Sequence, residues 1–230
     1  MELSAEIHIE PLRIGREQAP LLVIDHFVAD PDALLEQAQA LDFHFTPRAF
    51  PGIRALAPTN YQCLLLEALA PHIATHFDLP AGRLRLAMCH YSLVTLQPAE
   101  LAPLQRVPHV DSLQHNGLAT IHYLFRKALG GTSFYRHRST GFESIDASRE
   151  HQYVAAVKRE FSGPDAPPPA YINGDTALFE RIEAQSAVFN RMLVYKRNSL
   201  HSGSIPPDFV PDPNPATGRL SINSFIDAVA

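Results

Sequence analysis

His109 and Asp111, two residues apart in the run PHVDS, and His201, far downstream in LHSG, are the side chains of this chain best suited to hold an ion together. A strand alternates its side chains between faces, so residues i and i+2 point the same way and can share one ligand. His201 must then arrive from a distant strand. Two imidazoles and one carboxylate on one face of an ion leave the opposite positions open, the facial arrangement of non-haem Fe(II) centres that activate oxygen. Open positions imply chemistry rather than a structural plug. Alone, the His-x-Asp pair is a weak signal, because 12 histidines produce such pairs by chance. The run HVDSLQH also offers a local set, His109, Asp111 and His115, which needs a tight turn to close.

The elements that must position these residues are short and apolar. From about Arg83 the runs LRLAMCHYSLV, LATIHYLF, SFYRH, MLVYKR and RLSINSFI follow one another between turn residues, the texture of successive strands. Strands without helices between them predict a mainly β core, a sandwich or jelly roll. Flanking helices precede it, which makes the class α+β. PLLVIDHFV (20–28) reads as a strand, and Asp30 with Pro31 caps a helix over ALLEQAQAL. A second helix starts near Asn60 with a stripe of Leu64, Leu65, Ala68 and Leu69, and Pro71 is expected to kink or break it. Residues 141–171 read as an insertion between strands. It comprises a helix in IDASREHQYVAAVKREF after an Asp146 or Ser148 cap, then the stiff loop SGPDAPPPAY, either a lid or a plain surface connection. ALFERIEAQSAVFN fits helix or strand equally. In YRHRS (135–139) the basic residues either line an entrance or cap a solvated strand end.

With 230 residues and 46% hydrophobic content, the chain can bury a large core. It is expected to form one domain over 1–230, with supporting strand and helices over about 1–82 and the β core over about 83–228. A net charge of -5 provides no basic field for a phosphate backbone, so a small molecule, peptide or protein is the expected partner rather than nucleic acid. Cys63 and Cys89 have neither zinc-knuckle nor redox-pair spacing, which makes a reducing cytoplasm the expected setting. MELSAEIHIEPLRIGRE carries charges where a signal peptide needs an apolar run, and no segment reads as a membrane span.

Over Met88 to Ile226 these motifs, taken in order, resemble the Fe(II)- and 2-oxoglutarate-dependent oxygenases, particularly the prolyl-hydroxylase-like branch. MCHYSL is similar to the strand before that branch's metal motif, PHVD to its HxD, ATIHYLF to the strand after it and GGTSF to its GG-x-x-F turn. LHSG and GRLSI complete the series. The resemblance implies a double-stranded β-helix, a cupin-like jelly roll, with Fe(II) held by His109, Asp111 and His201, 2-oxoglutarate as cosubstrate and O2 as oxidant. The distal carboxylate of 2-oxoglutarate then needs a partner. Arg219 supplies a planar fork that meets a carboxylate bidentately, and Ser221 lies two along on the same face. The family strand implies that Tyr123 hydrogen-bonds the same carboxylate and that Tyr91 lies near the metal end.

Read without the family, RLSINSF is an ordinary strand with Arg219, Ser221 and Asn223 toward solvent. The stretch PPDFVPDPNPATG makes the step from His201 to Arg219 longer than is usual in the family and is expected to loop out; were it to cross the barrel, Arg197 would be the anchor. Halogenating members carry a small residue where Asp111 stands, so the resemblance implies hydroxylation, or a related desaturation or demethylation. The substrate class it implies is an amino acid, peptide or protein side chain. Three alternatives use the same residues: a metal-binding cupin-type protein without 2-oxoglutarate, a non-catalytic binding module, and zinc hydrolysis, for which no HExxH is present.

Overall fold

A computed structural model describes residues 1–45, 50–79 and 83–229. In chain order the elements are β1 (His8–Ile14), β2 (Ala19–Asp25), α1 (Pro31–Gln39), β3 (His44–Phe45), β4 (Gly52–Leu56), α2 (Thr59–Phe77), β5 (Arg83–Val94), β6 (Gly117–Tyr123), β7 (Gly131–His137), α3 (Glu150–Phe161), β8 (Phe179–Ser186), β9 (Met192–Lys196), β10 (His201–Ser204) and β11 (Leu220–Val229). The protein is mostly β with few helices. Eight strands form one antiparallel sheet in the order β1-β2-β9-β6-β11-β5-β4-β3, and three form a second in the order β10-β7-β8.

The large sheet is buried on both faces, because its central strands carry apolar residues at successive positions. On one face Leu22, Ile24, Leu118, Val194, Leu220, Ile222 and Tyr91 pack under α1 and α2. On the other, Leu21, Val23, Ala119, Tyr123, Leu193 and Tyr195 meet Phe134 of the small sheet. The interior relevant to chemistry lies on this second face, between the sheets.

Local sequence explains the helices. Asp30 accepts a hydrogen bond from the Ala33 N–H at 3.0 Å and Pro31 opens the first turn of α1, an N-cap with proline at its start. Along α2, Tyr61, Leu65, Leu69, Ile73 and Phe77 recur every fourth residue and all are buried. The helix continues through Pro71 to Phe77 instead of breaking there. Pro71 and Glu67, whose carbonyl loses its donor, both lie on the exposed side, so water satisfies the carbonyl while buried anchors before and after the proline hold the axis on the sheet.

Between β7 and β8 lie α3 and a long loop. Asp146 accepts from the N–H groups of Ser148 and Arg149 at 2.8 and 3.1 Å and leads into α3. The following loop is tied down by Tyr171, which donates to the Leu96 carbonyl at 2.8 Å, and by Ile172, buried with Tyr135 and Phe179. The ambiguous ALFERIEAQSAVFN contributes strand β8. YRHRS is buried through Tyr135, Arg136 and His137 and reaches solvent at Arg138 and Ser139. Arg136 is buried in an ion pair with Glu143 and also meets Glu180, and His137 contacts Glu160 and Thr140. Among the described residues no helix is long and apolar enough to cross a membrane.

A polar knot ties the helix layer to the sheet. Asn190, held at φ 66°, donates to the Val28 carbonyl at 2.9 Å and accepts from the Val28 N–H at 3.1 Å and from His122 Nε2 at 3.0 Å. With Nε2 donating, His122 Nδ1 accepts from the Tyr61 hydroxyl at 3.2 Å. Burial holds His122 neutral, its pKa pushed down to about 4. Asn190→Ala strands several buried groups and strains the backbone, so urea unfolding should show a loss of roughly 2–4 kcal/mol. Asn190→Gly, which tolerates the positive φ, should lose less; equal losses would show that backbone strain contributes nothing.

Candidate metal centre

The candidate metal-ligating residues are assembled by the backbone. His109 and His201 form an isolated antiparallel bridge. Each donates its N–H to the other's carbonyl, at 2.9 and 3.0 Å. Directly opposed residues put their side chains on one face, and the two imidazole centroids lie 4.5 Å apart. The Asp111 N–H donates to the Arg197 carbonyl at 2.8 Å, which fixes the carboxylate beside both rings. Asp111 Oδ1 is 3.6 Å from His109 Nε2, and Oδ2 is 3.5 Å from His201 Nε2. The three donors all lie within 4.8 Å of one another. That spacing fits one ion with bonds of about 2.0–2.2 Å. The donor set suits a six-coordinate divalent metal with a free face.

Second contacts set the protonation needed for binding. His201 donates from Nδ1 to the Ser199 carbonyl at 2.9 Å, which leaves the Nε2 lone pair directed at Asp111. Its ring is buried against Tyr195 and Phe134. His109 sits at the open side, with 46% of its side chain exposed. Loss of hydration, then the neighbouring His201, hold its imidazole below the ordinary histidine range while Asp111 opposes them. Solvent at the exposed edge moderates the depth of that shift but not its direction. The neutral form is the one that ligates metal.

Arg219 faces the same interior and is 6% exposed. Its Nε donates to the Leu129 carbonyl at 2.9 Å and its Nη2 to the Gly131 carbonyl at 2.7 Å. No described carboxylate pairs with it, and burial lowers its pKa while the Tyr123 and Tyr171 hydroxyls oppose that. A Cβ on Gly203 would stand 3.7 Å from Arg219 Nη2. Gly203 lies two residues along β10 from His201 on the same face, a rise of roughly 7 Å. The gap segment 206–218 does loop out, with Phe209 packed beside Val94 and Ile205. The glycine pair is required for close approach, since a Cβ at Gly130 (φ +93) would meet the Ser204 carbonyl oxygen at 1.8 Å.

Tyr123 and Ser221 are opposite one another across β6 and β11. The Tyr123 hydroxyl contacts Thr132 Oγ1 at 2.7 Å, and Ser221 donates to Asn223 Oδ1 at 2.7 Å. Tyr91 is not brought to this group. It pairs with Ile222, one residue out of step with Ser221, so it points to the helix-covered face and donates to the Leu34 carbonyl at 2.9 Å. Arg197 is already engaged, donating to Asp227 at 2.8 Å. His115 is 70% exposed in its side chain and stands 3.6 Å from Asp146, away from the other ligands. Both cysteines are free. One residue the motifs passed over, Arg54 on β4, lies near enough for its charge to act on Asp111 and His109. It lies well before His109 and the motifs around it, and no local pattern marks it.

A model of the family described as "Family of unknown function (DUF6445)" matches residues 5–226. No curated protein matches the chain in sequence. Among solved structures the chain is similar to HygX from Streptomyces hygroscopicus with nickel and 2-oxoglutarate bound, at 13% identity and a TM-score of 0.52, covering 94% of this chain and 87% of that one. Weaker likenesses are to the non-heme alpha ketoglutarate dependent epimerase SnoN from nogalamycin biosynthesis (9% identity, TM-score 0.48, 92% and 80% covered) and to EctD from S. alaskensis in its apoform (12%, 0.43, 98% and 85%). The HygX likeness shows a shared fold.

Removing one ligand should cost at least as much as removing a supporting contact, which is about 10–100-fold in affinity. Calorimetric titration with Ni(II) should therefore show binding to Asp111→Ala weakened by more than about 100-fold, with circular dichroism unchanged. Unaltered affinity would place the ion elsewhere.

Proposed function

We propose that this chain, which belongs to the family DUF6445, is an Fe(II)- and 2-oxoglutarate-dependent oxygenase that hydroxylates a small-molecule, amino-acid, peptide or protein substrate. We take residues 1–230 as one domain whose facing sheets are the two halves of a double-stranded β-helix. The observation that carries the reading is a buried arginine that meets no carboxylate among the described residues, one short strand step from a two-histidine, one-carboxylate cluster. A buried guanidinium stays charged and calls for an anion. The solved HygX structure, which shares the fold, holds nickel and 2-oxoglutarate.

On this reading His109, Asp111 and His201 hold Fe(II), and Arg219 receives the distal carboxylate of 2-oxoglutarate, with Tyr123 and Ser221 on the same wall. Iron with 2-oxoglutarate and O2 supplies the oxidising power when bound. The chain's own residues do the rest. Ser199 fixes the tautomer and tilt of His201 through its carbonyl. Tyr195 and Phe134 pack against the same ring and exclude water from the buried side. Arg219 is held in one orientation by the two carbonyls it meets, so little ordering remains when an acid arrives. Asp111 fills the coordination position that a halide would need, which favours hydroxylation over halogenation.

Anaerobic titration of the protein with Fe(II) and 2-oxoglutarate should produce the weak visible charge-transfer band of the chelate. Arg219→Ala should raise the 2-oxoglutarate concentration required by roughly 10–100-fold, the scale of a charged hydrogen bond, whereas Arg197→Ala should leave it unchanged. Iron binding without the band would replace this function with that of a metal-binding cupin.

A further inference from the structure

Arg54 is a second arginine of the interior that pairs with no acid among the described residues. Strand β4 places it opposite Ser92 of β5, and its side chain runs along the inner face until Nη1 lies 3.6 Å from the Met88 sulfur. The guanidinium lies over the Phe50 ring, 4.5 Å from its centroid. Its Nε is buried and has no hydrogen-bond partner among the described residues. A thioether is a poor acceptor, and buried donors are normally bonded, so the guanidinium edge is short of acceptors. Asp111 is the one described acid whose charge acts on it, and Asp111 is engaged with the two histidines.

Position separates Arg54 from Arg219. Met88, where the Arg54 side chain ends, is opposite Phe225 of β11, whereas Arg219 immediately precedes that strand. Arg219 and Phe225 are six residues apart along the chain, a rise of roughly 20 Å. Arg54 also acts electrostatically on His90 and His109, the latter being the ligand at the open side. One guanidinium therefore serves the deep end of the interior and the other the mouth.

We propose that the primary substrate carries a carboxylate and that Arg54 receives it, holding the substrate across the mouth of the metal centre. The inference rests on the oxygenase reading and adds the substrate class to it. A planar fork with one face against Phe50 offers its edge to a planar anion, and Phe50 and Met88 supply apolar walls for the carbon skeleton beside it.

The test uses Ni(II)-loaded protein, titrated first with 2-oxoglutarate and then, at saturation, with 3-phenylpropanoate and its neutral amide. The wild type should bind the carboxylate at least about tenfold more tightly than the amide. Arg54→Gln should abolish that preference and leave 2-oxoglutarate affinity unchanged, and Arg54→Lys, which keeps the charge, should retain part of the preference. The proposal is overturned if the wild type shows no preference, including no binding of either probe, or if the preference survives Arg54→Gln. Weakened 2-oxoglutarate binding in Arg54→Gln also overturns it, because Arg54 would then serve the cosubstrate. If 2-oxoglutarate fails to bind the wild type while the carboxylate preference persists, the oxygenase reading fails and the Arg54 site stands.

Discussion

Two backbone hydrogen bonds between His109 and His201 bring together the two imidazoles of the candidate metal centre. They join segments far apart in sequence and put two imidazoles on one face without any help from an ion. The register continues outward, since His201 stands opposite Phe134 of β7 and Phe134 packs against Tyr195 of the large sheet. A strand has a side-chain period of two, so a slip of one residue would turn His201 away from Asp111. The glycine pair guards against such a slip. Gly130 and Gly131 let β7 approach Ser204 and Gln185 more closely than any Cβ would permit.

Charge is the second organising constraint. Arg136, Arg191 and Arg197 each lie at least partly buried and each meets a carboxylate, Glu143, Asp25 and Asp227 respectively. These pairs pin distant parts of the chain. Glu143 also accepts from the N–H groups of Arg16 and Glu17, tying the β1–β2 turn to the segment after β7. Arg219 and Arg54 break the pattern on the inner faces of the sheets. Removing a charge from water without a partner is costly, and both exceptions face the space beside the histidine cluster.

The candidate cluster was legible in the sequence as the local patterns His-x-Asp and LHSG, but its geometry was not, because His109 and Asp111 lie outside any strand and are set by backbone bonds to His201 and Arg197. Other features depended on contacts that no local pattern reveals. Strand β1, with Pro11 and an exposed alternate face, lacks a strong apolar signal, yet it pairs with β2 along its whole length. The face occupied by Tyr91 follows from its register against β11, which a distant segment sets. Arg136 and His137 look like a solvated strand end until Glu143, Glu180 and Glu160 fold over them. Pro71 passes through a helix because its neighbours on the sheet side outweigh one missing hydrogen bond.

Strand β11 lies between β6 and β5. Among the described residues it joins the β5-β4-β3 part of the large sheet to the β6-β9-β2-β1 part, and it follows the other strands in sequence. A chain emerging from the ribosome therefore holds two open, apolar strand edges until residues 220–229 have been made. Such edges recruit other chains. The interval between synthesis of β9 and capture of β11 is when nascent chains of this protein are most exposed to aggregation, and when a chaperone has most to protect.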